Sequence, residues 1–356
     1  MTPQIFVCRD PMANAILDPL CDELTSWGLR VVRGPDPVPG TILDYESAQY
    51  AELFGEADIA MFSSRSRCTR GLLESAPRLR AVINPTIGVE TVNLAAASEL
   101  GIIVGNGATP ENYMSMAEAA VMLMLNLVFD LRRTEEVLRK SQPKPPPGQI
   151  RARMLRGMTV GILGLGNIGR TVAQLLAPFG ARLIACSPDV DPQSLPAGVE
   201  LVDFATLMQQ SDIVGVFVAI TPENRQMING DAIERMKPSA FIVNVARGDA
   251  IDEPALVDAL RRRRIAGAAL DTFAIEPLPV DSPLRQLDNV ILTPHMVGQT
   301  RNLYDAIPKA AIENMRRVLN GQLPLYCKNA EIELKWRERL AQLPALDLPA
   351  AWRIPA

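Results

Sequence analysis

The chain has 356 residues, of which 48% are hydrophobic and 21% are charged, and its formal net charge is −4 at pH 7. This length and composition predict two globular domains with sizeable cores and exclude wholesale disorder. The weakly acidic balance disfavours nucleic acid or an anionic membrane surface as the main partner.

Cysteine and histidine usage bear on metal binding and on location. The five cysteines form no C-x-x-C pair, and a single histidine cannot supply a His cluster, so we expect reduced thiols and no metal site. The first residues, MTPQIFVCRDPM, lack a basic region followed by an apolar core, and the most apolar stretch (119–125) is too short to cross a bilayer. We therefore expect a cytoplasmic protein without a signal peptide.

In the first part of the chain, short apolar segments alternate with helical patterns. The predicted strands are QIFVC (4–8), LRVVR (29–33), DIAMF (58–62), LRAVIN (79–84) and GIIVGN (101–106). This alternation predicts βα units around a parallel sheet. One long helix is predicted over 111–140, and because its first half is apolar nearly all round it must be buried in a core or at a subunit interface.

A second alternating series follows the proline-rich loop or linker SQPKPPPGQ (141–149). Its predicted strands are MTVGILG (158–164), ARLIAC (181–186), DIVGVFVA (212–219), AFIVNVA (240–246), IAGAALD (265–271) and NVILTPH (289–295). The sequence therefore predicts an α/β protein with two Rossmann-like, doubly wound parallel-sheet domains.

The segment GILGLGNIGR carries the spacing of a dinucleotide-binding turn, with Gly164, Gly166 and Gly169 between a strand and a helix. In such a turn the first glycine allows the tight bend, the second lets pyrophosphate approach, and the third packs helix on strand. Amides at the start of the helix, including those of Asn167 and Ile168, would bind the phosphates. The alternative is a tight βα turn that binds no ligand.

An acidic residue is expected about twenty positions further on, where it would hold the ribose hydroxyls. The next strand ends at Ser187, with Asp189 two residues later and no Lys or Arg between Ser187 and Glu200. We therefore expect NAD rather than NADP, with Asp189 as the candidate carboxylate. The alternative for Asp189 is a turn residue after a proline.

Three later strands each end near a residue that could perform chemistry. Arg247 follows one strand, Asp271 ends the next with Glu276 in the loop beyond it, and His295 follows the last. Ligands bind at the carboxyl ends of strands in open parallel sheets, so these loops could converge. Each residue also has an ordinary alternative, as a solvated cation, a loop residue or a histidine in a turn.

The segments GILGLGNIG, VNVARGDAIDEPAL, LDTFAIEP and LTPHMVGQT, in this order and spacing, resemble the D-isomer-specific 2-hydroxyacid dehydrogenase family. The resemblance covers about residues 45–325. It implies an NAD-dependent oxidoreductase that interconverts a small 2-oxo acid and a D-2-hydroxy acid, of the glyoxylate/hydroxypyruvate reductase or phosphoglycerate dehydrogenase type. It also implies a homodimer.

The resemblance implies a role for each candidate residue of the active site. Arg247 would bind the substrate carboxylate with its planar fork. His295 would be the acid and base at the carbonyl oxygen. Glu276 would hold the imidazole and favour its protonated form. Asp271 would face the nicotinamide carboxamide, and Ala246 would lie against the cofactor.

The resemblance extends to the first half of the chain. Backbone amides near Ile87 and Gly88 would complete the carboxylate pocket, and Arg65 matches a substrate contact of phosphoglycerate-type members, with a surface arginine as its alternative. Residues 1–108 and 296–330 would form a flavodoxin-like substrate domain. Residues 109–295 would form the NAD-binding domain, with helix 111–140 at the junction and at a dimer interface, and 331–356 would be a C-terminal tail without an assigned role.

Two other functions of the same fold bear on the prediction. A formate-dehydrogenase-like activity is disfavoured because such members have Gln in place of Glu276. A regulatory protein of the corepressor type, which binds NAD, keeps the same three catalytic residues and turns over little, is the alternative function. Negligible turnover and a groove for a partner peptide would distinguish it.

Overall fold

The computed structural model describes residues 1–11, 13–38, 41–188 and 190–354 and divides the chain into two compact units. The first unit comprises Met1–Asn112 and the segment from Thr300 onward, and the second comprises Tyr113–Gln299. The observed boundaries lie after 112 and 299, four residues beyond those proposed from the sequence (108 and 295). The predicted tail belongs to the first unit.

All strands are short, and most carry predominantly apolar residues, whereas β2 begins and ends with an arginine. In chain order they are β1 (Gln4–Val7), β2 (Arg30–Arg33), β3 (Ile59–Met61), β4 (Ala81–Ile83), β5 (Ile103–Gly105), β6 (Thr159–Leu163), β7 (Arg182–Cys186), β8 (Val199–Leu201), β9 (Ile213–Val216), β10 (Phe241–Asn244), β11 (Gly267–Leu270) and β12 (Val290–Leu292).

The helices alternate with these strands. They are α1 (Asn14–Ser26), α2 (Ser47–Phe54), α3 (Arg70–Glu74), α4 (Leu94–Glu99), α5 (Pro110–Val128), α6 (Leu131–Arg139), α7 (Asn167–Leu176), α8 (Phe204–Gln210), α9 (Gly230–Arg235), α10 (Glu253–Arg261), α11 (Arg301–Leu319) and α12 (Glu333–Gln342).

The first unit is built on a parallel sheet of order β2-β1-β3-β4-β5, the flavodoxin-like order. Its strands alternate between two cores: Ile5 and Val7 of β1 face α1 and α11, whereas Phe6 packs with α2, α3 and α4. Burial on both faces is why the central strands β1, β3 and β4 are almost continuously apolar, whereas the edge strand β2 is only partly buried.

The second unit contains a seven-stranded parallel sheet of order β12-β11-β10-β9-β6-β7-β8. Alternate residues again enter different cores: Val160 and Ile162 pack against α5 and α7, and Val214 and Val216 pack against α8, α9 and α10. The strand order reverses between β6 and β9, where doubly wound folds bind ligands. The predicted α/β class with two Rossmann-like parallel sheets is confirmed.

The helix predicted over 111–140 is in fact two helices, α5 and α6, bent by 60°. The break falls at Asp130, whose φ of 50° lies in the left-handed region that Asp adopts more readily than most residues. One face of α5 is buried in the core, including Ala117, Leu123 and Met124. The opposite side leaves Met122 and, beyond the helix end, Phe129 exposed.

On the outer side of the edge strand β12, a main-chain carbonyl is hydrogen-bonded to a cation. Arg132 of α6 donates a hydrogen bond to the main-chain carbonyl of Val290. That carbonyl faces away from β11, because the alternate groups, the carbonyl of Asn289 and the amide of Thr293, bond to β11. The outer edge of the sheet therefore has one of its acceptors satisfied by a side chain.

The C-terminal segment packs on the first unit through two buried tryptophans. Trp336 is fully buried, and its Nε1 donates to the carbonyl of Arg80 at 2.9 Å. Trp352 is 1% exposed, and its ring centroid lies 5.6 Å from that of Trp27. The segment without an assigned role is thus part of the core of this unit.

Among the described residues, no single helix is both long and apolar enough to cross a membrane. The bent pair α5 and α6 reaches the required length and composition only when the two helices are taken together.

Candidate active site

In the glycine turn between β6 and α7, the fold itself requires glycine at two of the three positions. Gly164 has φ of +97°, a conformation that strains other residues. A Cβ on Gly169 would lie 2.0 Å from the carbonyl oxygen of Gly164, so helix and turn could not pack as they do. A Cβ on Gly166 would meet no atom within 4 Å. Gly166 therefore borders open space, as it would if a ligand approached its backbone.

The start of α7 has the character of an anion-binding helix terminus. Gly166 is its N-cap and provides no side-chain cap, and the first turn contains no acidic residue. The amides of Asn167, Ile168 and Gly169 therefore carry the positive end of the helix dipole without a carboxylate beside them. Together with the open space at Gly166, this fits the pyrophosphate of a dinucleotide.

Of the two residues predicted to lie near the ribose, the structure describes Ser187 only. Ser187 follows β7, and its carbonyl accepts a hydrogen bond from Val190 at 3.2 Å. Asp189 lies outside the described residues. A cation that the sequence did not indicate is present near this loop: Arg170 donates to the main-chain carbonyl and, at 2.9 Å, to the Oγ of Ser194.

Arg247 lies in a loop whose shape is fixed by a buried asparagine at the end of β10. The Asn244 side chain donates to the carbonyl of Arg247 at 2.9 Å and accepts from the amide of Ala246 at 3.0 Å. Asn244 is 1% exposed, so both bonds are shielded from water. The Arg247 guanidinium, itself half-buried, donates to the carbonyl of Ala246 at 2.8 Å.

Asp271, at the end of β11, holds the turn that contains His295. Its main-chain carbonyl accepts from the His295 amide at 2.8 Å, and its Oδ1 accepts from the amides of Met296 and Val297 at 3.0 and 3.1 Å. His295 has φ of 54°, which the turn imposes. Burial raises the pKa of the Asp271 carboxyl, opposed by these amide hydrogen bonds and the nearby imidazole.

His295 and Glu276 form a close pair. His295 Nδ1 lies 2.7 Å from Glu276 Oε2, and Glu276 Oε1 accepts from the amide of Phe273 at 3.1 Å. Burial opposes ionisation of Glu276, but His295, the Phe273 amide and the charge of Arg247 outweigh it and hold the carboxyl pKa below its usual value. Arg247, Glu276 and His295 lie in the segments that follow the carboxyl ends of the neighbouring strands β10, β11 and β12.

The pair is accessible from solvent. The side chains of His295 and Glu276 are 47% and 35% exposed. Because Nδ1 is engaged by Glu276, Nε2 is the imidazole nitrogen available to a substrate. The arrangement can hold a proton at Nε2 and bind a carboxylate at Arg247.

The remaining candidates belong to the first unit. Arg65 follows β3, and its amide donates to Ser63 Oγ at 3.1 Å. Ile87 and Gly88 lie in the loop after β4, where the carbonyl of Ile87 accepts from Asn106 Nδ2 at 2.6 Å.

Sequence reasoning missed Asn244 and Arg170. Asn244 stands two residues before the predicted Ala246 and is buried at a strand end, a position where a polar side chain needs partners. Arg170 directly follows Gly169, but only the folded chain brings its guanidinium to Ser194. The first could have been found from its place at a strand end, whereas the second could not.

Comparison with known proteins agrees with this geometry. Residues 121–297 match the NAD binding domain of the D-isomer specific 2-hydroxyacid dehydrogenases. The hydroxypyruvate reductase of Thermotoga maritima is 33% identical over 287 residues, which cover 80% of this chain and 90% of that protein. The chain therefore belongs to the D-isomer-specific 2-hydroxyacid dehydrogenase family, as its motifs predicted.

Two further relatives illustrate the range of the family. The D-3-phosphoglycerate dehydrogenase of Mycobacterium tuberculosis is 35% identical over 323 residues, which cover 90% of this chain and 58% of that protein. The structure of an NADPH-dependent glyoxylate/hydroxypyruvate reductase from Sinorhizobium meliloti, in complex with NADP and malonate, superposes with a TM-score of 0.77. It is 26% identical and covers 92% of this chain and 97% of that one. The chain spans little more than half the length of the phosphoglycerate dehydrogenases it matches.

Proposed function

We propose that this protein is a nicotinamide-dependent oxidoreductase that interconverts a small 2-oxo acid and a D-2-hydroxy acid. The observation that carries the proposal is the His295–Glu276 pair at 2.7 Å, with Arg247 at the neighbouring strand end. A cation for a carboxylate beside a proton donor is what a 2-oxo acid requires. The hydroxypyruvate reductase and glyoxylate reductase relatives support this choice of substrate class.

The proposed chemistry divides between the bound dinucleotide and the chain. When bound, the dinucleotide supplies or accepts the hydride at the substrate carbon. Arg247 binds the substrate carboxylate and orients the adjacent carbonyl. In the reducing direction His295 Nε2 donates its proton to the carbonyl oxygen as the carbon–hydrogen bond forms, and in the oxidising direction it takes the hydroxyl proton.

Glu276 orients the imidazole and stabilises its charged form. Its carboxylate bonds Nδ1, which fixes the ring and leaves Nε2 for the substrate. The low pKa of Glu276 keeps this group anionic across the neutral range. The pair therefore holds a proton where the carbonyl oxygen needs one.

The proposed cofactor contacts are the glycine turn, the start of α7 and the ends of β7, β10 and β11. The contact residues would be Gly164, Gly166, Asn167, Ile168, Gly169, Ser187, Asp189, Ala246 and Asp271. We propose NAD in preference to NADP, because the sequence from Ser187 to Glu200 contains no cation for a 2′-phosphate. Arg170 is hydrogen-bonded to Ser194; if that bond were broken, its guanidinium could bind a 2′-phosphate and shift the preference toward NADP.

We also propose that Arg65 and the backbone amides of Ile87 and Gly88 contact the substrate, and that the protein is a homodimer. The proposed dimer face is the exposed apolar side of α5 and the start of α6, where Met114, Met122, Phe129 and Leu131 are 40–53% exposed. An apolar strip of this kind is disfavoured in water and favours burial against a second copy.

The proposal is tested with a panel of 2-oxo acids: glyoxylate, hydroxypyruvate, pyruvate and bulkier acids, each with NADH and with NADPH. Nicotinamide absorbance should fall with at least one small 2-oxo acid, and faster with NADH. Flat traces across the panel, with dinucleotide binding intact, would favour the regulatory alternative of the same fold.

A substitution at His295 separates catalysis from binding. His295→Ala should leave dinucleotide binding nearly unchanged and reduce turnover by about two to four orders of magnitude. Met296→Ala is the matched control, because Met296 is exposed in the same turn and interacts with Asp271 only through its amide. Unchanged turnover in His295→Ala would contradict the assignment.

A further inference from the structure

We propose that Glu253, at the start of α10, is a positioning residue for the His295–Glu276 pair. The inference rests on the proposed function and adds a residue that the motif-based assignment does not include. Glu253 is half-buried, and its Oε2 accepts a hydrogen bond from the amide of Ala274 at 3.0 Å. Ala274 lies in the loop that carries Glu276.

The loop from 272 to 276 is held through two successive amides. The Phe273 amide donates to Glu276 Oε1, and the next amide, that of Ala274, donates to Glu253 Oε2. The side chains of Ala274, Ile275 and Glu276 are exposed, so this part of the loop has little apolar packing to hold it. The hydrogen bond to Glu253 is therefore a main restraint on the position of the backbone that leads into Glu276.

A second contact joins the same two segments. A Cβ added to Gly248 would lie 2.0 and 2.1 Å from the carbonyl carbon and oxygen of Phe273. Main chain thus packs directly on main chain, and only glycine fits there. The segment from Arg247 to Glu253 supports the Glu276 loop at two points, so it sets the separation between the cation and the pair.

Glu253 acts through geometry and does not touch the reacting atoms. It needs only an oxygen that accepts from Ala274, which the amide of glutamine also provides. A purely helical role, in which the carboxylate favours the amino terminus of α10 through its charge, would be lost in glutamine as in alanine. The two substitutions therefore distinguish the proposals.

The test compares Glu253→Ala and Glu253→Gln in the full-length protein. Because His295 is the only histidine of the chain, its ring protons give an unambiguous NMR signal whose titration reports the pair without any turnover. In Glu253→Ala the titration midpoint should move in the same direction as in Glu276→Gln, whereas Glu253→Gln should keep the wild-type midpoint.

Kinetics give the second readout. A displacement of the pair should lower kcat by about ten- to hundredfold in Glu253→Ala, with the dinucleotide Kd unchanged, and Glu253→Gln should restore kcat. Equal effects of both variants, or a change confined to Tm with the titration unmoved, would overturn the positioning role. If the wild type reduces no 2-oxo acid, the proposed function fails, whereas the His295 titration still decides the role of Glu253.

Discussion

His295 Nδ1 lies 2.7 Å from Glu276 Oε2, although the two residues are nineteen positions apart in sequence. The contact depends on the ends of two neighbouring strands: Asp271 fixes the turn of His295, and Phe273 fixes the carboxylate of Glu276. Because these contacts lower the pKa of the Glu276 carboxyl, they make the stability of the fold depend on pH.

The low pKa of Glu276 predicts how the pair contributes to stability. A carboxyl whose pKa is lower in the folded state stabilises the fold above its unfolded value, 4.5, and loses that contribution as pH falls through the folded value. The difference in unfolding free energy between wild type and Glu276→Gln should therefore be largest at neutral pH, and it should shrink as the pH falls through the pKa of the folded state. Urea unfolding at neutral and at acidic pH measures this difference, with Glu52→Gln, an exposed carboxylate on α2, as control. A difference that grows in acid would contradict the assigned direction.

Replacing Arg247 by lysine should weaken substrate binding more than catalysis. Lysine keeps the charge but cannot form the planar two-point contact with a carboxylate. Loss of one charge-assisted hydrogen bond, about 1.5–3 kcal/mol, should raise KM for the 2-oxo acid about ten- to hundredfold. Steady-state kinetics measure it, and Arg225→Lys, on the surface beside Asp249, should leave KM unchanged. A KM unaffected by Arg247→Lys would exclude a two-point carboxylate contact.

Gly166→Ala separates ligand approach from folding. The new Cβ meets no atom within 4 Å, and the backbone φ of −72° suits alanine, so stability should be preserved. The methyl group would occupy the space through which pyrophosphate approaches, and dinucleotide Kd should rise about tenfold or more. Fluorescence titration with NADH measures Kd. Gly148→Ala, whose Cβ also meets no atom, is the control. An unchanged Kd for Gly166→Ala would place the pyrophosphate elsewhere.

The C-terminal segment should contribute directly to the stability of the first unit. Trp336→Ala would empty a fully buried site and remove the hydrogen bond to Arg80, a change that destabilises by about 3–5 kcal/mol. Leu334→Ala is the matched control, because Leu334 is 79% exposed two residues earlier. Thermal unfolding of both variants measures the difference. Similar Tm values would mean that the segment is docked without stabilising the unit.

The sequence predicted most strands, because burial on both faces makes them almost continuously apolar, but it missed the edge strand β8, where Val199 and Leu201 are only half-buried and Glu200 is exposed. It placed the candidate site residues at strand ends because parallel sheets collect them there. The break at Asp130 was missed, since no Gly or Pro lies between 111 and 140 to mark it. The contacts of Arg170 with Ser194 and of Glu253 with Ala274 join residues distant in sequence. Local patterns carry no information about such pairs, and only the packed chain reveals them.

The hydrogen bond from Arg132 to Val290 also bears on how the protein behaves at high concentration. An unpaired sheet edge is a template for another strand, and a cation on its carbonyl opposes that pairing. A foreign strand would have to displace the guanidinium before it could extend the sheet beyond β12. Arg132 lies on the short helix that follows the break at Asp130, so this break places a cation where it opposes edge-to-edge aggregation.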